Sequence, residues 1–151
     1  TFQKEKSLEK KPLRFPVQDI YKFTKLGDDR RIVVGRIASG TLKTGDDIIF
    51  LPSNKISKIN SIESFNEDIK ATIAGNNVGI TLTEQIYITL GDVICKKGEM
   101  LPHVSTLLKT NLFWMGKEPF CINKDYKLKI NTKSVPVRLK EIRKVKLKKV
   151  F

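Results

Sequence analysis

The chain has 151 residues and a mass of 17.2 kDa, enough for one domain or two small ones with a real core. Hydrophobic residues make up 40% and charged residues 30%, which excludes a fully disordered chain, and 29 Lys and Arg against 16 Asp and Glu leave a formal charge of +13. No apolar run exceeds four residues (Ile48 to Leu51, Leu112 to Met115), so no segment is long enough to span a membrane, and Thr1 to Lys11 is too polar for a secretory signal.

Strand signals dominate from the start. Phe15, Val17, Ile20, Tyr21 and Phe23 form a first β-prone stretch, closed by the turn cluster Gly27-Asp28-Asp29. Ile32 to Ile37 is short and β-branched, as suits a strand buried on both faces. Gly40 to Asp47 reads as a turn-rich connector, followed by Ile48 to Leu51 and the turn Pro52 to Lys55. Between Ile56 and Phe65 neither parity set is cleanly apolar: Ile56, Lys58, Asn60, Ile62 and Ser64 alternate with Ser57, Ile59, Ser61, Glu63 and Phe65. Asn66 to Asn77 reads as a polar connector. Val78, Ile80 and Leu82 then alternate with Gly79, Thr81 and Thr83, and Val93-Ile94-Cys95 is a short buried strand. Glu84 to Leu90 has room for a single helical turn at most. Six short strands spaced by turns predict a small barrel or sandwich.

Pro102 marks a boundary. Val104 to Met115 reads as one long strand. Tyr126, Leu128 and Ile130, then Val135, Val137 and Leu139, alternate with polar residues on either side of Thr132-Lys133, which predicts a hairpin. Three strands are marginal as an independent unit, so the second module is expected to be truncated at Phe151.

The charge is unevenly spread. Residues 1–14 carry +3 and residues 138–151 carry +6, while the 123 residues between them carry +4. A basic tail is a common footprint of a polyanion such as nucleic acid. Here the basic positions alternate with apolar ones, so a solvated sheet face is the favoured reading.

Candidate chemistry is sparse. Cys95 and Cys121 sit in apolar stretches and read as small buried hydrophobes, and with one histidine, His103, no His/Cys metal cluster is expected. Gly40 to Gly45 has the glycine spacing of a phosphate-binding loop, but Asp46-Asp47 stands where that loop needs Lys and a hydroxyl. Two carboxylates there would repel phosphate, and nucleotide binding is rejected. Asp28-Asp29 and Asp46-Asp47 are explained by turns. His103 lacks triad partners. Trp114 either stacks on a base or plugs a core at a strand end, and the plug is favoured. No catalytic, cofactor-binding or metal-ligating residue is therefore expected.

The order of short motifs resembles a known family. Leu13 to Asp19 resembles the entry strand of domain 2 in translational-type GTPases, of which elongation factor Tu is one. Val34 to Asp46 is similar to its Gly-Arg-hydrophobic signature, Ala74 to Gly79 to its Gly-x-x-Val-Gly strand, and Gly91 to Ile94 to its Gly-Asp-Val ending, with Leu90 where Arg is common. Within the superfamily, Arg30 to Arg36, Phe50 to Ser53, Phe113-Trp114-Met115, Glu118-Pro119-Phe120, Tyr126 to Lys129 and Val135-Pro136 most resemble the GTP-binding large subunit of sulfate adenylyltransferase.

The resemblance implies an all-β architecture. Residues 1–11 would be a flexible lead, 12–101 a Greek-key-type domain 2 β-barrel, and 102–151 a truncated, partial domain 3 β-barrel. It implies a non-catalytic, cytoplasmic fragment that passes GTP state to a partner. GTP and Mg would belong to a GTPase domain ahead of Thr1, consistent with the missing initiator Met. That domain and the small catalytic subunit of sulfate adenylyltransferase would be the partners. A domain 2/3 fragment of a tRNA-binding elongation factor and a stand-alone basic nucleic-acid-binding barrel are the alternatives. Gly35, Gly40, Gly45, Gly75, Gly79 and Gly91 are expected to be structural turn glycines, and Arg30, Arg31, Arg36, Trp114, Arg138 and Lys140 are candidate partner contacts.

Overall fold

The structure is a computed structural model that describes residues 8–23, 30–63 and 69–143. Ten strands follow one another, joined by turns: β1 (Phe15–Lys22), β2 (Arg31–Arg36), β3 (Thr41–Lys43), β4 (Asp47–Leu51), β5 (Lys55–Glu63), β6 (Ala71–Ile73), β7 (Asn77–Leu82), β8 (Val93–Lys96), β9 (Asp125–Ile130) and β10 (Lys133–Arg138). Among the described residues the only helical element is one 3₁₀ turn, Leu8–Lys10, and Glu84 to Leu90 is irregular.

Six strands close into an antiparallel barrel in the order β1-β2-β7-β5-β4-β8, as the spacing of short strands predicts. Closure removes the sheet edges that would otherwise expose unpaired backbone. The interior is filled by Leu13, Phe15, Val17, Val33, Ile37, Leu42, Ile48, Phe50, Ile59, Ile80 and Ile94, all essentially inaccessible. The chain divides into two compact units, Thr1–Val104 with Asn131–Lys133, and Ser105–Ile130 with Ser134–Phe151.

Three local features of the barrel differ from the pattern reading. The mixed parity of Ile56 to Phe65 has a geometric cause. The register of β5 against β7 shifts between Ile59 and Ser61, so one extra residue turns the strand over. Ile59 and Ile62, of opposite parity, therefore both reach the core. Second, β3 and β6 pair with each other inside segments expected to be connectors, and bury Leu42 and Thr72. Third, Gly35 and Gly79 are not turn glycines. They lie within β2 and β7, paired with Val78 and Val34. A Cβ on Gly35 would overlap the Pro16 carbonyl oxygen and come within 2.6 Å of Phe15 Cε2, so close strand packing is what excludes a side chain. Gly40, Gly45, Gly75 and Gly91 do adopt positive φ, between 83° and 98°.

Segments flanking the barrel strands are held by polar contacts. Gly40 N donates to Leu8 O at 2.9 Å and Leu13 N to Glu99 Oε2 at 2.6 Å. Residues 1–7 of the expected lead lie outside the described residues, as do the Gly27-Asp28-Asp29 turn and the basic residues from Lys144 onward.

The expected hairpin, β9 and β10, is present, with its turn one residue earlier, at Asn131-Thr132, where Asn131 takes φ 49°. The long strand expected over Val104 to Met115 is absent. That stretch is irregular and exposed, Phe113 at 89% and Met115 at 94%. A strand exists by backbone pairing, and β9 and β10 pair only with each other. Trp114 is 45% exposed, so it does not plug a core. It meets Phe120 at a tilt and Tyr126 edge-on, at centroid distances of 4.8 and 5.6 Å, and its Nε1 donates to Glu118 O at 2.7 Å. Cys95 is buried as expected, but Cys121 is exposed, in the same irregular region.

Candidate functional site

The segment with phosphate-loop spacing is strand β3 and the turn that follows it. Leu42 within it is buried in the core, and Asp46 caps the turn by accepting from Lys43 N at 2.9 Å. The other oxygen of Asp46 holds Lys96 Nζ at 2.6 Å. The carboxylate is thus engaged on both sides, and the loop opens toward no ligand. His103 is exposed, its Nδ1 3.0 Å from Val104 O. Among the described residues no group of three His, Cys, Asp or Glu could hold a metal, and no helix is long and apolar enough to cross a membrane.

A cleft of about 380 Å³ lies where β7 leads into the segment 83–88, which sits within the range of small ligand sites. Val33, Leu82, Ile86 and Ile88 are its apolar lining, and Arg30, Arg31, Asn60, Thr81, Thr83, Glu84 and Gln85 its polar lining. Strand period explains the arrangement. Arg31 shares its face of β2 with Val33 and Gly35, the two buried positions, and lies one step beyond the Val33–Ile80 pair. Its stem therefore starts on the interior side of the wall, at the end of the strand. Its Nε is buried with no hydrogen-bond partner.

Beside the cleft a directed chain of side-chain hydrogen bonds crosses β5 and β7. Ser61 donates to Glu63 Oε1 at 2.6 Å, so its single proton is spent there. Thr81 must then donate to Ser61 Oγ, also at 2.6 Å, and Asn60 Nδ2 donates to Thr81 Oγ1 at 3.2 Å. Glu63 is thereby held with its other oxygen 3.6 Å from Arg30 Nη1. Segment 83–88 is pinned by Thr83 N to Lys58 O at 3.0 Å and by Ile86 and Ile88 against the core. Lys55 donates to Tyr87 O at 2.7 Å.

Of the candidate contacts, the structure brings Arg30 and Arg31 together on the cleft. Arg36 sits at the far end of β2, roughly 17 Å away at strand rise, and donates from Nε to Gly75 O at 3.2 Å. Trp114, Arg138 and Lys140 belong to the second unit. Arg138 there forms a two-point pair with Asp125 at 2.7 and 3.0 Å, which holds the Asp125 carboxyl below its ordinary range and raises Arg138. Asn60, Thr81, Thr83, Glu84 and Gln85 were not singled out by the sequence. The alternation of Thr81 and Thr83 with Val78, Ile80 and Leu82 was the one signal available for two of them.

Cys95 lies in the barrel wall away from this cleft. Burial pushes its thiol pKa up, with Arg14 opposing. A buried, protonated thiol is a packing residue, not a nucleophile.

Residues 30–95 match the family model of elongation factor Tu domain 2. Over 122 residues, 81% of the chain, the sequence is 39% identical to sulfate adenylyltransferase subunit 1 of Francisella tularensis subsp. tularensis, 25% of whose length is matched. The subunit 1 of Alteromonas mediterranea is 38% identical over 123 residues, 82% of this chain and 25% of that one. That of Citrobacter koseri is 32% identical over 143 residues, 95% of this chain and 29% of that one. The chain thus spans about a quarter of the length of these curated relatives. A crystal structure of Sup35 complexed with GDP shares the fold at a TM-score of 0.51 and 22% identity, over 58% of this chain and 21% of that one. The expected resemblance to domain 2 of translational-type GTPases, and to the large subunit of sulfate adenylyltransferase, stands on these matches.

Proposed function

With residues 30–95 matching an elongation factor Tu domain 2 barrel, we propose that the chain is a non-catalytic part of a GTP-binding subunit of sulfate adenylyltransferase. The observation that carries this reading is the length of the match. The domain 2 family model stops at residue 95, whereas similarity to subunit 1 continues over 95% of the chain and so includes the second unit. In this reading the barrel is a stiff body next to a GTPase domain elsewhere in the protein. It passes nucleotide state to the small catalytic subunit as a shift between two arrangements of packed domains. GTP and Mg are held by the GTPase domain, the chemistry is performed by the partner, and the site of action is the cytoplasm. The closed, densely packed barrel supports such a role, because a rigid module transmits displacement without absorbing it.

The reading is tested by genetic exchange. The gene carrying this sequence should restore growth on sulfate as sole sulfur source to a strain lacking sulfate adenylyltransferase subunit 1. Failure to do so, with the protein expressed and soluble, would overturn it. The 151-residue chain by itself should show no heat of GTP binding, since its glycine-spaced loop carries Asp46-Asp47 and is closed by Lys96.

A further inference from the structure

We propose that residues 8–14 are a strap locked across the turn between β2 and β3, and that displacement of the preceding chain reaches the barrel through this lock. The proposal rests on the relay reading, with the GTPase domain ahead of Thr1, and names the joint that carries the relay. The strap belongs to no barrel strand. It is one 3₁₀ turn, Leu8–Lys10, and a run that meets strand geometry only at the isolated bridge of Arg14 with Ser39. Chain of this kind is ordinarily slack, but here it is tied along its length. Gly40 N donates to Leu8 O at 2.9 Å, Ser39 Oγ to Pro12 O at 2.7 Å and Arg14 N to Ser39 O at 2.9 Å. From the turn after β8, Glu99 Oε2 accepts from Leu13 N at 2.6 Å, and Met100 O accepts from Arg14 Nη2, also at 2.6 Å. The Leu13 side chain between these ties is fully buried. The strap therefore grips two turns that are far apart in the chain before it runs into β1.

Gly40 makes the lock possible. It takes φ +83°, and a Cβ there would lie 2.5 Å from Leu13 Cα and 2.7 Å from Leu13 N. Both are backbone atoms that no rotamer change can move, so only glycine lets the strap lie this close. Length decides whether the lock matters. Released, these seven residues would have an r.m.s. span of about 15 Å. The displacements that pass between packed elements are about 1–5 Å. A free strap would absorb such a displacement, whereas a locked one hands it to β1 and to the turns after β2 and β8.

Hydrogen exchange and a coupling assay together test the proposal. In the 151-residue chain, the amides of Leu13, Arg14 and Gly40 should exchange as slowly as those of β1. Gly40→Ala should speed them by about tenfold or more, as a clash against backbone requires, with β7 still protected. Glu99→Ala, which removes the acceptor of Leu13 N and leaves Gly40 in place, serves should Gly40→Ala disturb the whole barrel. In the full-length subunit, assayed with the small subunit, GTP should stimulate adenylyl sulfate formation. Either variant should lower that stimulation by about fivefold or more, the small end of ordinary coupling energies, while GTP hydrolysis continues. Gly79→Ala is the control: it crowds the barrel wall at Ile32 and touches no strap contact, so it should keep the stimulation. Fast exchange of the strap in the parent, slow exchange in Gly40→Ala, full stimulation in a variant whose strap is released, or an equal loss in Gly79→Ala would each overturn the proposal. The relay reading falls separately, on failure of the parent sequence to restore growth on sulfate.

Discussion

Gly35→Ala isolates the closest approach in the barrel wall. The new Cβ would overlap the carbonyl oxygen of Pro16 and lie 2.6 Å from Phe15 Cε2. Phe15 is fully buried, so its ring has nowhere to swing, and the Pro16 oxygen is backbone of β1 and moves only with the strand. Overpacking against side chains costs about 1–3 kcal/mol. Here the clash also forces β1 off its Val17–Gly35 register, while alanine recovers about 0.5–1 kcal/mol of strand entropy relative to glycine. The net destabilisation is about 2–3 kcal/mol, at the upper end of the overpacking range.

Two other glycines serve as controls. In Gly79→Ala the nearest atom is Ile32 Cγ2 at 2.6 Å, on a β-branched side chain that yields only by leaving its χ1 well, but no backbone atom is met, so the cost is about 1–2 kcal/mol. Gly45→Ala has nothing within 4 Å and suffers only from its φ of +85°, about 1 kcal/mol. Urea unfolding followed by far-ultraviolet circular dichroism measures all three. Circular dichroism is chosen over tryptophan fluorescence because the single Trp, Trp114, lies in the second unit and not in the barrel. A cost for Gly35→Ala below about 0.5 kcal/mol, or one smaller than that of Gly79→Ala, would refute the close-approach explanation.

Two further predictions concern pH and local stability. The Cys95 thiol is raised above its ordinary value of 9.0 by burial, so the folded state holds this proton more tightly than the unfolded chain. Its contribution is complete below pH 9.0 and is lost as pH rises through the folded value; stability should therefore fall more steeply above pH 9 in the parent than in Cys95→Ala, and equal slopes would contradict the assignment. Amide hydrogens of the irregular 105–124 stretch should exchange far faster than those of β1, β2 and β7, because the former lack ladder bonds and burial; slower exchange there than in the barrel would show a second unit more stable than its packing implies.

Much of the barrel was readable along the chain. β2, β4, β7 and β8 announce themselves as short β-branched runs between turn residues, and the β9–β10 hairpin by alternation on either side of a polar pair. β3 and β6 were not, because each has only three residues and is a strand by virtue of the other, about 30 positions away. The candidate site was half legible. Arg30 and Arg31 were named as candidate contacts and open the Arg30 to Arg36 stretch that carries the resemblance, but Thr81, Thr83 and Glu84 carry no motif, and Arg36, Arg138 and Lys140 are basic residues placed elsewhere.

The sequence alone determined the class of the molecule: all-β, built from short strands, without metal-ligand spacing or a working phosphate loop, and similar in motif order to domain 2 of translational-type GTPases. Those properties depend on residue type and local spacing, which a linear text preserves. Tertiary structure decided facing. Alternation assigns inside and outside only while a strand keeps its register, and the bulge after Ile59 reverses it, which is why Ile59 and Ile62 both enter the core. It also decided that Gly35 is a contact and not a turn, and that Cys121 and Trp114 are exposed while Cys95 is sealed. Whether an arginine on β2 meets solvent or a closed lining depends on where β7 and the segment after it pass, and that is set by pairing across the barrel, not by any neighbour of Arg31 in the chain.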